Sequence, residues 1–395
     1  MRVLLVNAHG ADLAHGGAER YVCEIAQGLE RRGHEANVLS SFPVQHDPLD
    51  GRTVVLHATD WRDDNRRRLA NHLGDVVANP GRRLQEAVAA TRPDVVHTNN
   101  LSGISTAIWE VCRRLDVPVV HTIHDYYLLC PRVTFQRRDG TPCCSHPTFC
   151  RIRAGRLARW TEAVGDVVAV SDYLRRRHEG LFPDARFHLL RIPIAPLDDA
   201  PLGPPRVPPR TIGYLGALDR VKGIEVLLAA APTISDVGYT VQIAGAGRLR
   251  GLVEAAAARG EVRYVGRVQG EAKHRFLEST DLAILPSIWE EPGAPPYSVA
   301  EWLAARRPIL VSNRGGLGEL RSCFFGVVTA EPSPEGLVAA ARRLAEPSVW
   351  DELVRSIPPP DDAAVAKWLD QHEAVYELAR SRRPAGVRAR STSPL

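Results

Sequence analysis

Three glutamates surround one predicted strand-to-helix connection, in the stretch PSIWEEPGAPPYSVAEWLAARRPILVS at residues 286–312. Glu290 and Glu291 follow the predicted strand 281–287, and Glu301 lies in the helix predicted after it. Carboxylates accept hydrogen bonds from sugar hydroxyls, and a carboxylate that binds two vicinal hydroxyls is a common way of holding a ribose. The acids therefore predict a site for a hydroxyl-rich ligand, with a solvated acidic rim as the alternative.

Two cations lie at a similar connection in the segment GALDRVKGIEVLL. Arg220 and Lys222 fall between a predicted strand (211–218) and a helix, and only two other lysines, Lys273 and Lys367, occur in the chain. Two cations beside a helix N-terminus can neutralise a diphosphate. This segment predicts a diphosphate site without the sequence of a Walker loop.

Glycine pairs occur at two further strand-to-helix turns. Gly16 and Gly17 precede a helix in NAHGADLAHGGAERYV, and Gly245 and Gly247 follow a strand in YTVQIAGAGRLRGLV. Glycines let backbone N–H groups approach an anion closely, although a tight turn explains them equally well.

A histidine follows the predicted strand PVVHTI at 118–123. This residue, His124, would lie at the same sheet edge as the Gly16-Gly17 loop, and His97 at the end of DVVHTN points to that edge as well. A ligand contact by His124 and a satisfied structural histidine are both consistent with this position.

Four cysteines occur close together in LLCPRVTFQRRDGTPCCSHPTFC. Cys130, Cys143, Cys144 and Cys150 have His146 among them, but their spacing matches no zinc finger. Reduced thiols that pack a long loop are the main interpretation, and a structural zinc is the alternative.

The elements that must position these residues alternate short apolar runs with amphipathic stretches. Near-continuous apolar runs are typical of parallel strands buried on both faces. Predicted strands are 2–7, 36–41, 53–59, 94–99, 118–123 and 166–171, then 211–218, 239–247, 262–268, 281–287 and 308–313. The fold class is α/β, with two doubly wound domains that face each other across a cleft.

A proline-rich segment separates the two sets of strands. Residues 193–210 hold seven prolines, which excludes a helix or a central strand there. The predicted organisation is an N-terminal Rossmann-like domain (1–195), a linker (196–210), a C-terminal Rossmann-like domain (211–360), a final helix (361–380) and a disordered tail (381–395).

Composition restricts the class of protein. The chain has 395 residues, 44% of them hydrophobic and 24% charged, and a net charge of +4. It shows no apolar stretch long enough to span a bilayer, no signal peptide and no nucleic-acid footprint. We therefore expect a cytoplasmic protein, with peripheral contact to an anionic membrane through the basic tail RSRRPAGVRARSTSPL as an alternative to a solvated tail.

A set of motifs along residues 1–380 resembles the family-4 retaining glycosyltransferases of the two-Rossmann (GT-B) fold. The motifs are HGGAERYV, HTIHDYYLLCPR, VVAVSDYLRR, GALDRVKGIEVLL, IAGAG, YVGRV, the acid-loop stretch and KWLDQHEAVYEL. The resemblance implies a hexosyltransferase whose C-terminal domain holds a nucleotide-diphosphate sugar and whose N-terminal domain selects a hydroxyl acceptor: a glycan, a lipid-linked acceptor or a small molecule. It also implies a last helix that returns to the first domain, with Trp368 and Tyr376 as its anchors.

The resemblance further implies residue roles. Gly16 and Gly17 would face the phosphates, His124 would contact the donor sugar, Arg220 and Lys222 the diphosphate, and Glu301 the ribose. Gly245, Gly247 and Val268 complete the predicted donor-binding set. The family spacing of seven residues between two glutamates is not met, because Gly293 stands at that position. A two-residue insertion favours Glu291 as the first acid, and Glu290 is the alternative.

The resemblance and the charge inventory together predict the chemistry. No Asp-x-Asp signature occurs, so cations and helix termini, without an active-site metal or a cofactor, would stabilise the leaving diphosphate. Retention implies attack on the face that the diphosphate leaves, with a phosphate oxygen as base and Glu291 stabilising positive charge at the sugar carbon. A non-catalytic nucleotide-binding partner, or a GT-B epimerase or phosphorylase, is the alternative.

Overall fold

The first domain is built on a seven-stranded parallel sheet. A computed structural model describes residues 1–11, 16–44, 51–56, 77, 81–137, 141–143, 147–197, 202–293 and 295–382. The strand order is β3-β2-β1-β4-β5-β6-β7. The strands are β1 (Arg2–Asn7), β2 (Glu35–Ser40), β3 (Thr53–Val55), β4 (Val95–Thr98), β5 (Val119–Ile123), β6 (Val164–Ala169) and β7 (Arg186–Leu189).

Helices cover both faces of this sheet, as a parallel sheet of apolar strands requires. They are α1 (Gly17–Arg31), α2 (Arg82–Thr91), α3 (Ala107–Arg114), α4 (Thr148–Leu157) and α5 (Asp172–His178). In β1, Val3, Leu4, Leu5 and Val6 are all buried, and β1 pairs with β2 on one side and β4 on the other. The continuous apolar run of β1 thus becomes the centre of the sheet.

The second domain repeats this architecture with a six-stranded parallel sheet of order β10-β9-β8-β11-β12-β13. Its strands are β8 (Thr211–Leu215), β9 (Thr240–Ala244), β10 (Arg263–Tyr264), β11 (Leu282–Leu285), β12 (Ile309–Ser312) and β13 (Val327–Ala330). Its helices are α6 (Ile224–Asp236), α7 (Arg250–Ala258), α8 (Gly270–Ser279), α9 (Tyr297–Ala304), α10 (Gly315–Cys323), α11 (Pro334–Ala345) and α12 (Pro347–Ser356). The predicted α/β class with two Rossmann-like sheets is confirmed.

The final helix, α13 (Ala364–Ser381), crosses back onto the first domain. Trp368 and Tyr376 are buried in the core of that domain, so their predicted role as anchors is confirmed. Between β7 and β8, the described residues of the connection contain neither helix nor strand. The predicted tail lies outside the described residues from position 383 onward. None of the helices in the described ranges has the length and apolar character needed to cross a membrane.

Two strands were missed by the sequence analysis, β7 and β13. Both lie at an edge of their sheet, and most of their residues are only half-buried. Edge strands need no continuous apolar run, because one side faces solvent or a loop. Of the strand predicted at 53–59, the structure describes Thr53–Val55 as β3 and Leu56 as outside it, and residues 57–59 lie outside the described ranges.

Candidate active site

A cavity of about 890 Å³ opens between the two domains. Its lining includes Gly16, Gly17 and Arg20 from the start of α1 in the first domain, and Tyr297 and Glu301 on α9 in the second. The domains touch here, since a Cβ atom at Gly17 would lie 3.5 Å from the Tyr297 ring. Two sequence-predicted groups, the glycine pair and Glu301, are therefore brought together.

Glu301 is held by cations from both domains. Its Oε1 lies 2.6 Å from Arg20 Nη1 and 2.7 Å from Lys273 Nζ, and its side chain is 14% exposed. The Arg20 guanidinium also stacks over the Tyr297 ring at 4.2 Å, and the Tyr297 hydroxyl donates to Glu24 Oε2 at 2.7 Å. A ligand hydroxyl that binds Glu301 would have to share its carboxylate with two charged donors.

The sequence analysis missed Arg20 and Lys273 as members of this cavity. Lys273 carried a signal that could have found it, because lysine is so rare in the chain. Arg20 had only its place next to the glycine pair, in GGAERYV. Its contact with Glu301 joins residues 281 positions apart, and no local pattern encodes that distance.

The structure separates the two candidate acids of the loop. The Glu291 side chain is 4% exposed and forms an ion pair with Lys222, and its Oε1 also accepts from Ser287 Oγ at 2.8 Å. The Glu290 side chain is 41% exposed and lies 3.4 Å from Arg177 Nη2. A buried carboxylate requires a charged partner, whereas an exposed one does not. Glu291 is thus the acid that the protein encloses.

The start of α10 fixes the acid loop from within the second domain. The Gly316 backbone N–H donates to the Glu291 carbonyl at 2.7 Å. A Cβ atom at Gly315, where φ is +57°, would lie 2.6 Å from the Glu290 carbonyl carbon. Both the left-handed conformation and the close approach require glycine at this position.

The first domain fixes the same loop from across the cleft. Tyr126 donates from its hydroxyl to the Glu290 carbonyl at 2.7 Å, and Ser171 Oγ donates to the Pro292 carbonyl at 2.5 Å. Trp289 of the loop packs against the core of the first domain. The backbone that carries Glu291 is therefore shaped by both domains.

His124 follows β5 directly, at the carboxyl edge of the first sheet. Its ring contacts Tyr21 edge-on, with ring centroids 4.6 Å apart, and its Nε2 lies 2.9 Å from Asn99 Oδ1. Burial lowers the pKa of His124 to about 3, which keeps the ring neutral at physiological pH. His97, which the sequence analysis placed at this edge, instead bonds to Tyr376 and Thr122 in the core.

The predicted phosphate segment forms a short 3₁₀ turn, Arg220–Lys222, before α6. Lys222 points to Glu291, whereas Arg220 is more than half exposed and pairs with Glu225 at 3.0 Å. The structure therefore brings Lys222, but not the Arg220 guanidinium, to the acid loop. Binding of diphosphate by either side chain stays a prediction.

The second glycine pair has a packing role. A Cβ atom at Gly245 would lie 1.9 Å from the Gly216 carbonyl oxygen, and one at Gly247 would lie 2.5 Å from the Leu218 carbonyl oxygen. Glycine is needed for the approach of two backbones, as the alternative of a tight turn anticipated. Val268 is half-buried against the core of the second domain. Donor contacts by these three residues stay predictions.

Cys130, Cys143 and Cys150 are free thiols. Cys144 and His146 lie outside the described residues. Within the described ranges, no group of three or more His, Cys, Asp or Glu side chains is arranged to hold a metal ion. The described cysteines therefore do not by themselves form the zinc site that was the alternative interpretation.

Comparison with known families matches both halves of the chain. The profile of Glycosyltransferase Family 4 matches residues 15–194, and that of Glycosyl transferases group 1 matches residues 209–347. Two facing Rossmann-like sheets with a cleft between them define the GT-B class of glycosyltransferases. The chain belongs to this class as a family-4, group 1 glycosyltransferase, as the motifs predicted.

Individual relatives agree with this assignment. A glycogen synthase of Mycobacterium tuberculosis is 27% identical over 88% of this chain and 86% of its own length. Among solved structures, the catalytic domain of starch synthase IV from Arabidopsis thaliana, bound to ADP and acarbose, has a TM-score of 0.65 at 13% identity and covers 96% of this chain and 99% of its own. An Anabaena protein in complex with UDP and glucose has a TM-score of 0.64 at 16% identity, over 96% of this chain and 100% of its own. At such identities the structural likeness concerns the fold alone.

Proposed function

We propose that this glycosyltransferase moves a hexosyl group from a nucleotide-diphosphate sugar to a hydroxyl acceptor, with retention and without an active-site metal. The observation that carries the proposal is the cavity that the Gly16-Gly17 loop of the first domain and Glu301 of the second domain line together. The loop offers backbone N–H groups at the start of a helix, and Glu301 offers a carboxylate that can accept from hydroxyls. A nucleotide sugar needs both kinds of group.

Lys222 and Glu291 would act at the reacting end of the donor. When a diphosphate leaves, the Lys222 ammonium can transfer from the Glu291 carboxylate toward the new negative charge, with Arg220 nearby on the same turn. The released carboxylate then faces the positive charge that develops at the sugar carbon. A donor phosphate oxygen would accept the proton of the attacking hydroxyl.

Two solved neighbours support a nucleoside diphosphate as a ligand, since one is described with ADP and the other with UDP. The acceptor is proposed only as a hydroxyl, of a glycan, a lipid-linked acceptor or a small molecule. The protein is also proposed to act in the cytoplasm, with contact to a membrane surface through its basic tail as the alternative to a solvated tail.

The proposal is tested by incubating the full chain with a panel of nucleotide sugars and following donor hydrolysis and transfer. NMR of the first products should show the anomeric configuration of the donor. Transfer should persist in excess chelator, because no metal is required for the leaving diphosphate. Inversion, or a loss of activity that added Mg²⁺ restores, would refute the proposal. Elemental analysis of the purified protein shows whether the cysteine loop binds zinc, so that an effect of chelator on that loop is not mistaken for an active-site metal.

A further inference from the structure

Asn99 lies directly beyond β4 and is almost fully buried, with 3% of its surface exposed. Its backbone N–H donates to the Val6 carbonyl at 2.8 Å, which ties it to the central strand β1. Its side-chain Nδ2 faces two carbonyl oxygens, of Val6 at 3.4 Å and His97 at 3.3 Å. The site residues predicted from the sequence do not include Asn99.

These contacts fix the orientation of the Asn99 amide. Carbonyl oxygens only accept hydrogen bonds, so the end of the amide that faces them must be the NH₂ donor. The other end, Oδ1, is an acceptor and lies 2.9 Å from His124 Nε2. Nε2 of His124 must therefore carry the proton and donate.

The opposite nitrogen of the ring is then an acceptor. A neutral imidazole carries one proton, so an Nε2–H tautomer leaves a lone pair on Nδ1. His124 is half-buried. Its Nδ1 is not among the fully buried polar atoms that lack a hydrogen-bond partner in the described residues. This nitrogen therefore keeps some solvent exposure at the carboxyl edge of the first sheet.

The surroundings of His124 contain few charges that could alter its protonation. Tyr21 of α1 contacts the ring, and His372 of α13 lies close by. His97 lies on the neighbouring strand β4, and His121 lies on β5 itself. The adjacent Asp125 carboxyl accepts from the Tyr127 backbone N–H and the Asn100 amide. Burial raises the pKa of Asp125 to about 6, so this carboxyl is the neighbour whose charge changes in mild acid.

We propose that Asn99 is a positioning residue: it holds His124 in the Nε2–H tautomer and so presents Nδ1 as an acceptor for a hydroxyl of the transferred sugar. The inference rests on the proposed function, in which His124 contacts the donor sugar. It adds the direction of that hydrogen bond, from sugar to protein, and the residue that sets it.

The first test needs no donor. In protein labelled with ¹⁵N-histidine, the His124 signals are assigned by their loss in His124→Gln, and the ring is titrated in the wild type and in Asn99→Asp. We expect Nε2–H alone in the wild type. The new carboxylate should raise the titration midpoint of the ring by about one to three pH units, because an opposite charge at this distance favours the protonated form.

Asn99→Ala and Gln371→Glu serve as companions. Asn99→Ala removes the acceptor without adding charge, so both tautomers should appear. Gln371→Glu adds a negative charge on an exposed position of α13 and should leave the titration unchanged. An Nδ1–H tautomer in the wild type, an unchanged tautomer in Asn99→Ala, or an unchanged midpoint in Asn99→Asp would overturn the inference.

The second test uses the donor found in the nucleotide-sugar panel. A protonated ring cannot accept a hydroxyl, so kcat/KM of Asn99→Asp should fall as the pH decreases through the new midpoint, and this fall should begin at a higher pH than any fall in the wild type, with both proteins checked to be folded by circular dichroism at each pH. At neutral pH, Asn99→Ala should lose on the order of tenfold in kcat, the equivalent of one hydrogen bond. If His124→Ala transfers as well as wild type, the proposed role of His124 fails. If His124→Ala is impaired while Asn99→Asp keeps the wild-type pH profile, only the inference about Asn99 fails.

Discussion

Each carboxylate of the candidate active site is neutralised by a cation of the chain itself. Glu291 pairs with Lys222, and Glu301 pairs with both Arg20 and Lys273. These pairs hold the charges in place until a ligand arrives, since an unpaired buried charge is strongly unfavourable. In the proposed function, donor binding would exchange these partners, and each acid should then have its own effect on binding or on transfer.

Glutamine substitutions of the three acids should separate their roles. Glu301→Gln should weaken binding of a free nucleoside diphosphate by about 1.5–3 kcal/mol, because it removes a charged acceptor for the ribose. Glu291→Gln should leave that affinity nearly unchanged and lower kcat, because its partner charge develops only in the transition state. Glu290→Gln should change neither, since its side chain faces solvent and Arg177.

Calorimetry with the nucleoside diphosphate and single-turnover transfer measure these effects. Lys222→Ala should weaken both diphosphate binding and transfer, because it removes a charge-assisted contact worth about 1.5–3 kcal/mol. Lys367 is exposed and pairs only with Asp361 among the described side chains, so Lys367→Ala is the matched control for Lys222→Ala. Lys273 cannot serve as that control, because it contacts Glu301. A loss of kcat in Glu290→Gln that exceeds the loss in Glu291→Gln would contradict the assignment.

At the scale of elements, helix α13 is joined to the first domain by a directed chain of hydrogen bonds. His372 Nδ1 lies 2.7 Å from the Trp368 carbonyl, so it donates, and Nε2 accepts from the Tyr21 hydroxyl at 2.6 Å. Tyr21 then accepts from Thr122, Thr122 accepts from His97 Nε2, and His97 Nδ1 accepts from Tyr376. Both ends of the chain lie on α13, and every member must be neutral for the order to hold.

This chain predicts that the protein loses stability in mild acid. Burial lowers the pKa of His372 to about 4 and also lowers the pKa of His97, whereas an unfolded histidine titrates near 6.5. The unfolded state then binds more protons below about pH 6.5, so stability is fully present above that pH and is lost as the pH falls toward 4. The loss for each such histidine approaches ~1.4 kcal/mol per pH unit.

Urea denaturation at pH 7.5 and pH 5.5 measures this loss. His372→Gln should lower the free energy of unfolding at pH 7.5, because Tyr21 loses its histidine acceptor, yet reduce the difference between the two pH values. Equal pH dependence in wild type and His372→Gln would contradict the role assigned to this ring.

At the scale of the whole molecule, the two domains share hydrogen bonds that only the closed arrangement permits. Glu319 of α10 accepts from the backbone N–H groups of Asp172 and Tyr173 at 3.0 and 2.9 Å, and from Arg191 at 3.1 Å. Helix α5 therefore has two of its first N–H groups capped by the opposite domain. Separation of the domains would return these groups to water.

Glu319→Gln should shift the molecule toward an open arrangement. The amide keeps the size of the side chain but loses the negative charge that binds the N-terminus of α5 and Arg191. Hydrogen bonds to this charge should stabilise the closed arrangement by about 1.5–3 kcal/mol. Small-angle scattering of the free protein should show a larger radius of gyration than wild type. The control is Glu254→Gln, an exposed partner of Arg250 within one helix. Identical scattering from Glu319→Gln and wild type would show that these bonds do not hold the closed arrangement.

The sequence by itself determined the two sheets and the place of the cleft. Runs such as VLLV (3–6) and LAIL (282–285) are apolar throughout because their strands are buried on both faces, and prolines at 193–210 interrupt the pattern. The polar residues that follow each run, such as His124 and Glu291, must then lie at the carboxyl edges. The local sequence pattern reveals these strands because a strand that is buried on both faces needs an apolar residue at each successive position.

Only the tertiary structure decided which partner each polar residue has. Glu290 and Glu291 are adjacent and identical in type, yet one is exposed and the other is enclosed with Lys222. Arg20 contacts Glu301 across the cleft, and Asn99 sets the tautomer of His124 from the neighbouring strand. These pairings depend on the register of strands and on the relative position of two domains, which arise from the packing of the whole core and not from the residues beside each site in the chain.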